Sequence, residues 1–309
     1  MNKPKKQHYV PQFLLRNFSA GHKSKAKVWV LDKRNGRIYQ SSVRNVGHEN
    51  RFYEYLGEAG DINLEELMQN IDSKGAEIIA GIISNARLPS SSENRVWLSY
   101  FIATQMMRTP ITRNDMENWR QMIIHKWGED IKAHPNDLKT IGEYGPEDAK
   151  VSSMRIINDV PEFAKLLQEK VWSLCEAPTN VPYVISDNPV ARHNMIDRWP
   201  RGNLGLRNDG IEVYMPLSPK FAIHAVCPKL ATAALLTSEL AAKYSHALED
   251  RTPMLHAPEN AEFVNSLQVI WAERFVYARE RTNLDLPIDM LRTNQELKDG
   301  PWRAAEARR

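Results

Sequence analysis

The chain has 309 residues, of which 42% are apolar and 26% charged, and it carries a net charge of +3. These values fit a globular protein with enough apolar side chains for a sizeable core. They exclude a bilayer span, since no run approaches ~18 apolar residues, and the mildly basic charge permits an anionic ligand without demanding nucleic acid, whose binders usually carry a clustered basic stripe. The only cysteines, Cys175 and Cys227, form neither a CxxC pair nor a zinc pattern and predict reduced, buried thiols in a cytosolic protein. The opening MNKPKKQHYV is basic without an apolar h-region, which predicts no signal peptide.

Gln7 to Phe18, QHYVPQFLLRNF, interleaves polar residues with Val10, Phe13, Leu14, Leu15 and Phe18. A terminal tail is ordinarily polar and frayed; this one has apolar side chains to bury, so its polar groups must find partners or face a site. The runs Lys27–Leu31 and Arg37–Val43 flank Asn35-Gly36, a strong hairpin signal. Asn45–Tyr55 reads as a loop or short extended piece with Phe52 and Tyr53 turned inward. Helical spacing begins near Asp61 and runs through Leu64, Leu67, Met68, Ile71, Ile78, Ile79 and Ile82. After a break at Leu88–Glu93 with a serine N-cap, a second helix is expected over Glu93–Thr109, stopping before Pro110. Further helices are expected at Asn114–Trp127 and Pro161–Glu169, with an irregular connection over Gly128–Pro146.

Beyond this the pattern becomes β-like, at Val171–Ala177, Val181–Ser186, Ile211–Leu217 and Phe221–Val226. Arg192–Gly210 reads as a long surface excursion. Helices at Ser238–Lys243 and Glu259–Ala272 and a strand at Arg274–Ala278 follow, and the charged tail from Arg281 is expected to fray. The order predicts an α+β fold: an antiparallel sheet built from the N-terminal hairpin and later strands, with a helical insertion packed against it. Residues 1–280 form one domain in this reading, helical over about 61–170 and strand-rich over about 171–280.

Four places put polar residues into apolar settings. In the first, Gln12 and Arg16 are four apart on one helical face, with His8 just ahead of the helix start near the positive end of its dipole. They could contact an anion, or tie the segment to the body of the protein. In the second, Gln105 and Arg108 end the stripe of Trp97, Phe101 and Thr104, and a buried guanidinium must pair, snorkel or meet an anion. In the third, Asp187 and Asn188 close an apolar strand, either as a self-bonded turn or as a carboxylate available as base, metal ligand or partner of His8. In the fourth, Asn265 and Gln268 sit on an otherwise core-like helix, where an internal bridge competes with ligand binding. His224, alternating with apolar residues in FAIHAV, reads as a core or face histidine. Phosphate-loop, dinucleotide, zinc-protease and nucleophile-elbow motifs are absent.

The segments QHYVPQFLLRNF, VWVLDKRNGRIY, QMMRTPITR, VISDNPV, PLSPK and NSLQVIWAERFVYA, in this order, resemble the bacterial family known as domain of unknown function 4238. The resemblance covers about residues 6–280, with the opening stretch and SDNPV its most specific parts. It implies membership and points to these segments as essential, and implies no particular activity.

The expectation is an intracellular enzyme of hydrolase or phosphodiesterase type acting on a phosphate-containing substrate, a nucleic acid or nucleotide. Phage defence is one setting for such an activity. His8 and Asp187 would be catalytic, with Gln12, Arg16, Gln105, Arg108, Asn188 and Asn265 binding substrate. Cofactor and metal stay open, and no membrane partner is expected. The alternative is a non-enzymatic module for nucleic acid or protein in which the same residues form a structural polar network.

Overall fold

The computed structural model describes residues 6–21, 25–50, 54–57, 60–63, 65–112, 156–196, 204–237 and 241–300. The helix expected at 114–127, the connection at 128–146 and the side chains of Phe52 and Tyr53 lie outside the described residues. The chain opens with β1 (Lys6–His8), the short helix α1 (Gln12–Asn17) and the hairpin β2 (Lys27–Asp32) and β3 (Arg37–Ser42). Gly36 takes the positive φ of 70° that the turn needs, and its N–H closes onto Asp32 O at 2.8 Å. β4 (His48–Asn50) returns to pair antiparallel with β1, setting His8 opposite His48.

A second hairpin, β5 (Glu54–Gly57) and β6 (Gly60–Asn63), follows where the helix was expected to begin. Glycines at both ends of its turn favour reversal over helix, so α2 starts at Glu65 and runs to Asn85. α3 (Ser92–Met107) has the expected serine cap: Ser91 accepts from Asn94 N at 3.3 Å. The two helices approach closely at Gly75, where a Cβ would lie 2.5 Å from the Phe101 ring. α4 (Val160–Gln168) begins with Pro161 in its first turn and packs on α3.

The strands that follow are β7 (Val171–Glu176), β8 (Ile185–Ser186), β9 (Ala191–Asn194), β10 (Ile211–Pro216) and β11 (Phe221–Val226). Then come α5 (Pro228–Thr237), α6 (Ala241–Asp250), β12 (Pro253–Leu255), α7 (Pro258–Trp271), β13 (Phe275–Ala278) and α8 (Asp285–Thr293). The fold is α+β, and its strands divide between sheets. The N-terminal hairpin joins later strands in the order β3-β2-β13-β8, while β12-β7-β11-β10-β9 forms a separate five-stranded sheet. Among the described residues all pairings are antiparallel except β12 on β7.

One face of the five-stranded sheet carries Trp172, Leu174, Val213, Met215 and Ile223 into the main core, with Leu98, Phe101 and Leu167 from the helices. Strand alternation sends Ser173, Cys175, Glu212, Tyr214 and His224 to the opposite face. Two further expectations change here. The surface excursion begins instead as β9, which pairs with β10. The segment from Arg281, expected to fray, forms a 3-10 turn and α8, and buries Leu284, Leu291 and Leu297 against Val269, Val276 and Ala278.

Candidate functional site

The N-terminal segment is seated by Gly47, whose carbonyl accepts both Tyr9 N (3.0 Å) and Val10 N (3.2 Å). Its φ is 63°, and a Cβ there would meet Val10 and Leu15 at 3.2 and 3.1 Å, so the close approach requires glycine. Beyond this seat, Gln12 Nε2 lies 3.5 Å from His8 Nδ1, and Arg16 Nη2 donates to Gln12 Oε1 at 2.9 Å. The i, i+4 spacing within α1 brings Gln12 and Arg16 together, while His8 belongs to β1. The His8 and His48 rings lie 5.2 Å apart. Burial, then His48, then the cations Lys6 and Arg16 bring the His8 imidazole down to about 4, against a backbone hydrogen bond at Val43. His8 is therefore neutral near pH 7, inside a positive local field. His48 Nδ1 is buried without a hydrogen-bond partner among the described residues.

Gln105 and Arg108 are buried at the end of α3. Gln105 Nε2 donates to Tyr9 O at 2.7 Å, and Gln105 Oε1 accepts from Arg108 Nε (2.9 Å) and Nη2 (2.5 Å). The same guanidinium forms a two-pronged pair with Asp72 of α2 at 3.1 and 2.6 Å. With its side chain 0% exposed, Arg108 is held within the protein by these partners. The next residue, Thr109, donates to Asn188 Oδ1 at 3.4 Å.

Asp187 receives three backbone N–H groups, those of Glu273 and Phe275 and between them Arg274, all at 2.8 Å. It thereby organises the turn from α7 into β13. Burial pushes its carboxyl up to about 6, against the pull of the Phe275 and Arg274 N–H groups and of Lys33. The Lys33 ammonium, wholly buried, donates to Val269 O and Ala272 O at 2.7 Å each and so closes the end of α7. Asn188 Nδ2 donates to Trp271 O at 3.1 Å. Asn265 accepts from Val184 N (2.9 Å) and donates to Pro182 O (3.0 Å). Gln268 accepts from Ser186 N and Oγ and donates to Pro189 O. The run 182–189 is thus strapped to α7, and only Ile185–Ser186 of it is strand.

The predicted residues fall into two groups. His8, Gln12 and Arg16 form one chain, with Arg16 exposed and His8 and Gln12 half-buried. Gln105, Arg108, Asp187, Asn188 and Asn265 form a buried seam behind it, joined to it through Tyr9 and internally through Thr109. Among the described residues Asp187 is bonded to the N–H groups of 273–275 and His8 to Gln12, not to each other. A cleft of about 490 Å³ opens beside α2 and α3, lined by residues such as Glu77, Asn85, Ser91 and Asn94, and includes none of the predicted residues.

One cluster that the sequence did not single out lies on the opposite face of the five-stranded sheet, beneath α7. Glu212 Oε1 accepts from Tyr214 Oη and His224 Nε2, and Oε2 from His193 Nδ1, each at 3.0 Å. Ser173 Oγ lies 3.4 Å from His224 Nδ1. Burial opposes ionisation of Glu212, but the hydrogen bonds from His224, His193 and Tyr214 outweigh it and hold the carboxyl below its usual range. The available signal was Glu212 itself, a carboxylate between apolar neighbours in a buried strand.

Against this geometry, the profile of the family described as "Protein of unknown function (DUF4238)" matches residues 6–282, and the chain belongs to that family. Neither curated proteins nor solved structures gave a match. Among the described residues no helix is long and apolar enough to cross a membrane, and no group of three or more His, Cys, Asp or Glu is placed to hold a metal ion.

Proposed function

We propose that the protein is an enzyme acting on a phosphate-containing substrate, a nucleotide or nucleic acid, at the patch formed by His8, His48, Gln12 and Arg16. The observation that carries this reading is the pairing of two imidazoles 5.2 Å apart with an exposed guanidinium linked to one of them through Gln12. Arg16 neutralises the phosphate, and Gln12 fixes the guanidinium relative to His8. A neutral His8 takes the proton of an attacking water or hydroxyl, which a positioned base accelerates by ~100- to 10,000-fold. His48, whose buried Nδ1 has no partner among the described residues, takes the second acid–base position expected of Asp187.

The buried seam serves this patch by holding it in place. Gln105 grips Tyr9, the residue after His8, and Asp72 fixes the Arg108 that orients Gln105. Hydrolysis of bis(p-nitrophenyl) phosphate and of nucleotides tests the reading. His8→Ala, His48→Ala and Arg16→Ala should each abolish or sharply reduce turnover with unchanged melting. No turnover by the folded wild-type protein on any such substrate would reject the enzymatic reading. The non-enzymatic alternative is favoured by the complete internal pairing of Arg108 and Asp187, and predicts binding to nucleic acid or protein without turnover.

A further inference from the structure

The face of the five-stranded sheet that packs beneath α7 holds an assembly remote in sequence from the N-terminal patch and made by strand register. Glu212 of β10 stands opposite His193 of β9, Tyr214 opposite His224 of β11, and His224 opposite Ser173 of β7. Partners directly opposite share a face, so five polar side chains meet there. An ionised carboxylate only accepts, which requires Nδ1–H on His193 and Nε2–H on His224. The two imidazoles therefore turn opposite nitrogens, Nδ1–H of His193 and Nε2–H of His224, toward one carboxylate. His224 is buried, its Nδ1 accepting from Ser173, and its ring stacks on Tyr214 at 4.4 Å and 4°.

His193 differs. Its side chain is 33% exposed, and with Nδ1–H committed to Glu212 its Nε2 lone pair has no partner among the described residues. The Phe263 ring meets it edge-on at 5.0 Å and also abuts Tyr214 at 5.9 Å, fixing the imidazole while leaving Phe263 itself 37% exposed. A carboxylate that fixes the Nδ1–H tautomer and supports the charged ring is the arrangement that makes the outer nitrogen a base.

We propose that His193 is the proton-accepting group of a second site, which takes a hydroxyl-bearing ligand with an aromatic or apolar body. The ligand O–H points at Nε2 and its body packs on Phe263. On reaction the O–H bond breaks, the proton passes to Nε2, and the electron pair stays on the ligand oxygen. Glu212 is the positioning residue that stabilises the resulting imidazolium, and His224 and Tyr214 keep Glu212 ionised and fixed. This site is independent of the N-terminal patch, and its failure would leave that reading untouched.

Imidazole nitrogen spectra of ¹⁵N-labelled protein test the proposal, with phenol as the ligand probe. His193 should show Nδ1–H with a bare Nε2, and phenol should shift Nε2 in the wild type. Diethyl pyrocarbonate should acylate His193, and Glu212→Gln should slow this by ~10-fold or more while Glu212→Asp restores it. His193→Gln, at a half-buried position where the glutamine amide can still donate to Glu212, should keep the melting temperature and abolish a saturable phenol response at Phe263. An Nε2–H tautomer at His193, no response of Nε2 to phenol, or an acylation rate unchanged in folded Glu212→Gln would overturn it.

Discussion

At the scale of the residue, the question is what a charged side chain does once it is buried. Arg108 is paired with Asp72 and Gln105, and removing one partner strands the other in a medium that solvates it poorly. Asp72→Ala should therefore destabilise the fold by about 3–5 kcal/mol in urea unfolding. Arg108→Met with Asp72→Leu should cost much less than either change alone. Asp187→Asn replaces an acceptor by an NH₂ facing N–H donors, with an expected loss of about 3 kcal/mol. A fully stable Asp187→Asn would contradict the organising role given to that carboxylate. The sequence showed that these residues needed partners, because polar groups among apolar neighbours must be satisfied. It could not show which partner: Asp72 is thirty-six residues from Arg108, in a polar stretch of helix with nothing to single it out.

At the scale of the element, local chemistry was the readable part. Asn35-Gly36 marked the first hairpin and Ser91 the start of α3, since turns and caps depend on a few neighbouring residues. The loop joining β2 and β3 is longer than a two-residue turn, because Asp32 also accepts from Arg34 N and Asn35 Nδ2. Elements stabilised by distant packing were harder to read. α8 looked like a charged tail because its apolar residues are sparse, yet they meet α7 and β13 on one side. Helix contact was also hidden at Gly75, which reads as a weak helical position until Phe101 packs on it. Gly75→Ala should lower stability by about 1–3 kcal/mol through overpacking, despite the better helix propensity of alanine. Asn265→Leu should cost about 2 kcal/mol by leaving Val184 N–H and Pro182 C=O without their partner; thermal melting checks both.

At the scale of the whole molecule, half-buried imidazoles set the response to pH. His8 and His256 are both lowered from 6.5 to about 4, in each case first by burial. Between these values the unfolded chain binds more protons, so stability falls as the pH drops from 6.5 towards 4 and this contribution levels off below. Asp187, raised from 3.8 to about 6, acts in the opposite sense, the folded state binding the extra proton in that window. Two histidines against one carboxyl give net acid destabilisation, further reinforced by the lowered Glu212. Removing one imidazole by His256→Gln should flatten the acid slope by up to about 1.4 kcal/mol per pH unit. The α+β class was readable from element order, whereas the separation of the four-stranded from the five-stranded sheet depends on which strands meet β13, and the pairing of Trp29–Asp32 with Phe275–Ala278 leaves no local trace.

As proposed, the buried seam presents His8, His48, Gln12 and Arg16 to a phosphate group. The most direct measurement is a titration of the folded protein with inorganic pyrophosphate, following the histidine ring resonances. The account predicts saturable shifts at His8 and His48, absent in Arg16→Ala and leaving His193 and His224 unmoved. Unchanged His8 and His48 resonances at saturating pyrophosphate would contradict it.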